Sequence, residues 1–247
     1  MSVFALKMIA SATMLLDHIG YFLNMDVLRC IGRIAFTIYL FLIYNGYKHT
    51  SNPLRYALRL AIFAIISQVP YSLCFYRSVW YKTGNVIFTL LASVLCLWCA
   101  DLFSKDKRLK WASVLPFIGV FCLYHLGVLN SEYGERAMIM MLVLFLFDGK
   151  GIVGELLIAA GFAFSLIYQP FLDFAKGLVH GQFDFVFRLG RWQWMQLWAL
   201  AALPMIFLYT GKKGPAFQSK FTKKAVQYGF YLFYPAHILV LWLIFVL

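Results

Sequence analysis

Charged side chains are scarce in this sequence. Aspartate, glutamate, lysine and arginine make up only 13% of the 247 residues, whereas hydrophobic residues make up 63%. The mean hydropathy is +0.77. A soluble domain needs far more polar surface than this composition supplies, so a water-soluble enzyme or binding module is excluded and a polytopic membrane protein is predicted.

Acidic residues are the scarcest charged type. The sequence has ten aspartates and glutamates but 22 lysines and arginines, which gives a formal net charge of +12. The cations lie in short segments between apolar runs, where they set membrane topology and can meet anionic head groups or ligands. The positive charge therefore does not indicate nucleic-acid binding.

Cysteine is also sparse, and its pattern excludes a disulfide framework. The five cysteines are odd in number, and most lie inside apolar runs, so they are interpreted as small buried hydrophobic residues. Cys96 and Cys99 form a CxxC spacing, but they have no second pair. The spacing does not indicate a zinc or redox site, and no metal is expected.

Nine apolar runs are long enough to cross a membrane, which predicts an all-α polytopic protein with about nine (eight to ten) transmembrane helices in one bundle and a single domain over 1–247. Cations are concentrated in the second, fourth and eighth loops, so the positive-inside rule predicts a cytoplasmic N-terminus. The segment 171–192 is too polar to span and is interpreted as interfacial or re-entrant. The runs cover 4–23, 31–49, 54–74, 85–103, 111–129, 134–148, 152–170, 193–210 and 226–246.

The first run combines a cation with a titratable nitrogen. Lys7 and His18 are eleven residues apart, about three helical turns, so both lie near one helix face roughly 16 Å apart along the axis. Ionisable groups within a membrane usually face a polar cavity or a partner. His18 is therefore predicted to be catalytic, because neutral histidine serves as a general base near pH 7 or as a transient acyl acceptor.

Other ionisable residues have two interpretations. Asp17 is either catalytic or the ion-pair partner of Arg29 or Arg33, which share a face of the second run. His237 follows Pro235 in the middle of the last run. It is predicted to line a cavity or act on the substrate, and the alternative is that it only packs between helices. The first interpretation places it among the catalytic residues.

Polar residues outside these pairs form two further sets. A basic turn before Pro53 suits a phosphate-bearing ligand, although a plain cytoplasmic loop would have the same composition. The second set either lines a cavity or joins helices by hydrogen bonds. The first set contains Lys48, His49, Asn52, Arg55 and Arg59, joined by Lys212 and Lys213 from the eighth loop, and the second contains Asn45, Gln68, Asn85, Tyr133 and Tyr234.

A series of short motifs runs along the whole chain: DHIG (17–20), IGRIAF (31–36), NGYKHTSN (45–52), RYALRL (55–60), ISQVPY (66–71), NVIFTL (85–90), the Tyr-Gly pair at 133–134, TGKKG (210–214) and FYPAH (233–237). In their order and spacing these motifs resemble the TraX family of conjugal-transfer membrane proteins, which are implicated in N-acetylation of pilin. The family in turn is similar to membrane acyltransferases of the acyltransferase-3 type, whose first span carries an arginine, ten residues and a histidine. Lys7 and His18 have this spacing, with lysine in place of arginine.

The resemblance implies an acetyltransferase of the bacterial inner membrane. Acetyl-CoA from the cytoplasm would be the donor, Lys7 would meet it, and His18 would act on an amine or hydroxyl acceptor such as a pilin N-terminus or a surface glycan. Two alternatives stay open. One is a proton-coupled transporter with Asp17, His18, Arg33 and His237 as its relay, and the other is a non-catalytic scaffold for a secretion or pilus apparatus.

Overall fold

The structure is a computed structural model that describes residues 1–179, 189–212, 214 and 220–247. These residues form ten α-helices, two short 3-10 helices at Lys110–Val114 and Trp198–Ala201, and no β-strand. The all-α prediction is confirmed. The helices are α1 (Val3–Phe22), α2 (Asp26–Lys48), α3 (Pro53–Tyr76), α4 (Val86–Ser104), α5 (Leu115–His125), α6 (Gly134–Phe147), α7 (Gly151–Val179), α8 (Arg191–Leu197), α9 (Ala202–Phe207) and α10 (Lys220–Phe245).

Six helical segments within the described residues are long and apolar enough to cross a membrane, so the chain is a multi-pass membrane protein. The other three predicted runs are helical but shorter or interrupted, so nine spans is an approximate count. The fourteen residues of α6 rise only about 21 Å. The six segments are Val3–Phe22, Asp26–Lys48, Pro53–Tyr76, Val86–Ser104, Gly151–Phe174 and Tyr228–Phe245.

The segment 171–192 differs from its prediction over its first four residues. Helix α7 continues through Pro170 to Val179, and its candidate membrane span includes residues 171–174. An interfacial position for the rest of the segment stays a prediction. Arg191 and Trp192 begin α8. The intervening residues 180–188 lie outside the described part of the chain.

Polar side chains begin three of the spans. The hydroxyl of Ser2 accepts a hydrogen bond from the amide of Ala5 at 3.2 Å. Asn52 and Asn85 cap α3 and α4 in the same manner. Pro53 occupies the first turn of α3, where its missing N–H costs nothing. These caps fix the ends of the helices that surround the cavity described below.

Helices α1 and α2 form a tight hairpin. A side chain at Gly32 would collide with Cα and Cβ of Asp17, so glycine permits this contact. The turn between the helices contains Asn24 in the left-handed conformation, with φ 53°. The hairpin places the last turns of α1 against the first turns of α2, where Arg29 and Arg33 lie.

Contacts between loops define two ends of the bundle. At the end where α1 begins, the amide of Val3 donates to Lys212 O at 2.9 Å, and Lys48 binds Asp148 at 2.6 Å. At the opposite end, the amide of Gly84 donates to the carbonyl of Asn130 at 2.8 Å. We call these the Lys7 end and the Arg29 end, after residues in α1 and α2.

We expect Gly32→Ala to destabilise the protein by about 1–3 kcal/mol, because overpacking at a backbone contact forces α1 and α2 apart. Gly119→Ala is the matched control, since a Cβ at Gly119 in α5 would meet nothing within 4 Å. Thermal unfolding in detergent measures both. Equal melting temperatures for the two variants would contradict the assignment of Gly32 as the contact that closes the hairpin.

Candidate functional site

A cavity of about 720 Å³ runs inside the bundle and is lined mainly by α1, α2, α3 and α10. Its lining on α1 extends from Val3 to Tyr21, which corresponds to about 27 Å of helix. This length approaches the roughly 30 Å thickness of a hydrocarbon core. The cavity therefore has lining residues from both ends of the bundle.

Two histidines meet at the side of this cavity. Nδ1 of His18 lies 2.9 Å from Nε2 of His237, and the two rings are parallel with centroids 5.1 Å apart. The edge of the Phe75 ring contacts His18, and Phe233 stacks on His237. The structure thus joins two residues, 219 positions apart, that the sequence suggested separately.

Hydrogen bonding assigns the tautomer of each neutral ring. Nδ1 of His237 lies 2.7 Å from the carbonyl oxygen of Phe233, which can only accept, so this nitrogen carries hydrogen. Nε2 of His237 is then an acceptor, and Nδ1 of His18 donates to it. His18 is left with an unprotonated Nε2 that has no hydrogen-bond partner in the described part of the chain. This tautomer suits a base or a nucleophile.

Asp17 is held by α2. Its carboxylate forms an ion pair with Arg33, which is only 5% exposed. Arg33 also donates to Tyr133 Oη at 2.6 Å and to the carbonyl of Arg29 at 3.2 Å. Of the two interpretations of Asp17, the geometry favours the ion pair, and the arginine partner is Arg33. A direct catalytic role for Asp17 stays a prediction.

The Arg29 end is both cationic and aromatic. The guanidinium of Arg29 lies over the rings of Tyr21 and Trp192, at 5.4 and 5.1 Å from their centroids. Glu132 and Arg136, from the turn before α6 and its first turn, line the same end. Burial raises the pKa of Glu132 to about 7, against the opposing effects of the Arg33 charge and of Tyr71.

The Lys7 end has its own cations. Lys7 lies over the ring of Phe230, with Nζ 5.3 Å from the centroid, and Arg59 lies over Tyr56. His49 Nδ1 contacts the carbonyl of Asn45 at 2.8 Å. All six residues line the cavity. Lys7, His49 and Arg59 are thus the predicted donor-binding residues that the structure places around one opening.

Other predicted donor-binding residues do not line this cavity. Lys48 binds Asp148, Asn52 caps α3, and Arg55 begins α3 on its exposed side. Lys212 is exposed, and its carbonyl holds the first turn of α1. Lys213 lies outside the described residues. A role for these residues in donor binding stays a prediction.

Gln68 and Asn85 join α3 to α4. The amide oxygen of Gln68 accepts from both the backbone and side-chain nitrogens of Asn85, each at 3.0 Å. Asn85 also donates to the carbonyl of Ala64. Neither residue lines the cavity, so the structure favours their interpretation as connections between helices. Asn45, Tyr133 and Tyr234 do line it.

Several lining residues were not singled out from the sequence. The sequence contains 15 tyrosines and 7 tryptophans, so aromatic identity alone does not mark a cavity. Tyr39 lies about 120° around α2 from Asn45, so helical spacing from that polar residue does not mark it either. The additional lining residues with polar groups are Tyr21, Tyr39, Tyr56, Tyr71, Tyr76, Trp192 and Tyr231.

Fold and cavity together define a multi-pass helical membrane protein with an internal chamber that is lined by His18, whose ring is hydrogen-bonded to His237. A family model described as TraX protein matches residues 2–245. The chain belongs to the TraX family, which confirms the resemblance drawn from its motifs.

Among relatives, the chain is 29% identical over 260 residues to the probable fimbrial assembly protein FimC, serogroup H1, of Dichelobacter nodosus. The match covers 97% of this chain and 94% of the relative. No solved structure matches. Within the described residues, no group of three or more histidine, cysteine, aspartate or glutamate side chains is arranged to hold a metal ion.

We expect Glu132→Gln to change the pH dependence of stability. The pKa of Glu132 is raised from 4.5 to about 7 on folding, so its contribution to stability is full below pH 4.5 and is lost as the pH rises to 7. The slope reaches about 1.4 kcal/mol per pH unit. Melting temperatures measured from pH 5 to 8 should therefore fall for the wild type relative to Glu132→Gln as the pH rises.

Glu155→Gln is the control for this measurement, because Glu155 is an exposed residue of α7. Its melting curve should keep the pH dependence of the wild type. Parallel pH profiles for wild type and Glu132→Gln would show that the carboxylate is ionised at neutral pH in the folded protein.

Proposed function

We propose that this protein is an integral-membrane acetyltransferase of the bacterial inner membrane. It moves an acetyl group from cytoplasmic acetyl-CoA to an amine or hydroxyl of an extracytoplasmic or membrane-presented acceptor. The observation that carries the proposal is the hydrogen-bonded pair of His18 and His237, in which His18 lines the cavity and its unprotonated Nε2 is available for reaction.

The donor end is proposed to be the Lys7 end. CoA is polyanionic, and Lys7, His49 and Arg59 supply cationic or hydrogen-bonding groups around that opening. Lys7 and His18 are about 16 Å apart along α1, so a donor bound at the opening extends its thioester inward to reach His18. The cation-rich loops at this end support its assignment to the cytoplasm by the positive-inside rule.

The proposed reaction needs one base. The acceptor nitrogen or oxygen bonds to the acetyl carbonyl carbon, while Nε2 of His18 takes the acceptor's proton. The carbon–sulfur bond then breaks, and the proton passes from His18 to the CoA sulfur. His237 orients the His18 ring and stabilises its positive charge as the hydrogen-bond acceptor of Nδ1–H. A variant of this path has His18 carry the acetyl group before the acceptor arrives.

The acceptor is proposed to enter from the Arg29 end and to be a pilin N-terminus or a surface glycan. The family resemblance supports pilin, and the fimbrial assembly description of the Dichelobacter relative agrees with it. The six apolar spans require a lipid bilayer around the protein.

We expect purified protein in nanodiscs to release CoA from labelled acetyl-CoA, and His18→Ala to lower the rate by about 10²–10⁴-fold, as for loss of a general base. His125→Ala is the control, because His125 pairs with Glu135 and does not line the cavity. Label on the wild-type protein would identify the acyl-histidine path. No binding and no turnover would reject the proposal, and proton flux in liposomes would then favour the transporter.

We expect His237→Gln to retain more activity than His237→Leu. A glutamine carbonyl can still accept the hydrogen from Nδ1 of His18, whereas leucine cannot. Loss of this acceptor removes the fixed tautomer, so kcat should fall while KM for acetyl-CoA stays unchanged. Equal kcat values for the two variants would mean that His237 contributes packing alone.

A further inference from the structure

The Arg29 end holds more positive charge than its described carboxylates balance. Three guanidinium groups line this end, from Arg29, Arg33 and Arg136. Of these, Arg33 is paired with Asp17. Glu132 is the other carboxylate that lines the cavity, and burial raises its pKa to about 7, so near neutral pH it carries less than a full negative charge.

The other two arginines lack an anionic hydrogen-bond partner. Nε of Arg29 and Nε of Arg136 are buried without a hydrogen bond among the described residues. Neither side chain forms an ion pair in that part of the chain. Both side chains are half-buried, and a buried Nε without a hydrogen-bond partner is costly. Planar guanidinium groups match carboxylate and phosphate oxygens. Two unpaired arginines at one cavity end are therefore typical of a site for an anion.

We infer that the Arg29 end binds an anionic group of the acceptor, a carboxylate or a phosphate, between Arg29 and Arg136. The identification of the bound molecule as the acceptor rests on the proposed function, whereas the anion site itself does not. Trp192 closes one side of the site, because its ring stacks against both Arg29 and Arg33 at 5.1 and 5.3 Å.

The position of the site specifies the acceptor further. Arg33 pairs with Asp17 and so lies level with His18, whereas Arg29 is one turn nearer the end of the bundle, roughly 6 Å further along α2. The anionic group of the acceptor is thus about one helical turn beyond its reacting amine or hydroxyl. A neutral alcohol or a simple amine lacks this second contact.

Binding of labelled inorganic phosphate tests the site without any acetyl donor. The protein is placed in phosphatidylcholine nanodiscs, which carry no net lipid charge, in a Lys7→Gln/Arg59→Gln background that removes the cations of the other opening. We expect Arg29→Gln and Arg136→Gln each to weaken phosphate binding by at least about tenfold, the loss of one charge-assisted contact. Arg108→Gln is the control, since Arg108 is exposed in the loop after α4.

Displacement identifies the source of the anion. Stronger displacement of phosphate by N-acetylglutamate assigns the site to a carboxylate of a peptide, and stronger displacement by a sugar phosphate assigns it to a phosphorylated acceptor. Phosphate binding that is absent, or unchanged in both arginine variants, overturns the inference even if acetyl-CoA is turned over. Arginine-dependent phosphate binding, together with no acetyl-CoA turnover by the protein that retains Lys7 and Arg59, keeps the anion site and rejects the acetyltransferase.

Discussion

The ion pair between Asp17 and Arg33 is the constraint around which the bundle is organised. An arginine that is only 5% exposed within a span requires an anionic partner, because hydrocarbon offers no water to solvate it. Asp17 supplies that partner only if α1 and α2 approach closely, and Gly32 permits this by lacking a side chain. The same approach places His18, the next residue on α1, at a fixed depth beside the cavity.

The cavity follows from where the polar groups of the spans are directed. Lys7, His18 and Asn45 face inward, while apolar residues such as Ile62 and Leu243 cover the outside. Polar groups in a membrane usually face a bundle interior or a water-filled space. Cations surround both ends and the histidine pair lies between them. This arrangement supports a reaction whose two substrates arrive from opposite sides of a membrane.

The sequence predicted the class of fold and part of the site. Hydropathy alone identified the helical membrane protein, and the eleven-residue spacing placed Lys7 and His18 on one face, where both line the cavity. The sequence did not decide between the two interpretations of Asp17 or between those of His237, because the role of each residue depends on a neighbour from another helix. It also could not distinguish Gln68 and Asn85, which connect α3 to α4, from residues that line the cavity.

The sequence by itself determined that the chain crosses a membrane as helices, because apolar length and the need to satisfy every backbone hydrogen bond in lipid leave no other solution. It also determined the family, through motifs spread over the whole chain. Only the tertiary structure decided that His18 and His237 form a pair and that Arg29, Arg136 and Trp192 share one end of the cavity. Helical periodicity fixes the face of one helix, whereas contacts between helices depend on how all the spans pack together.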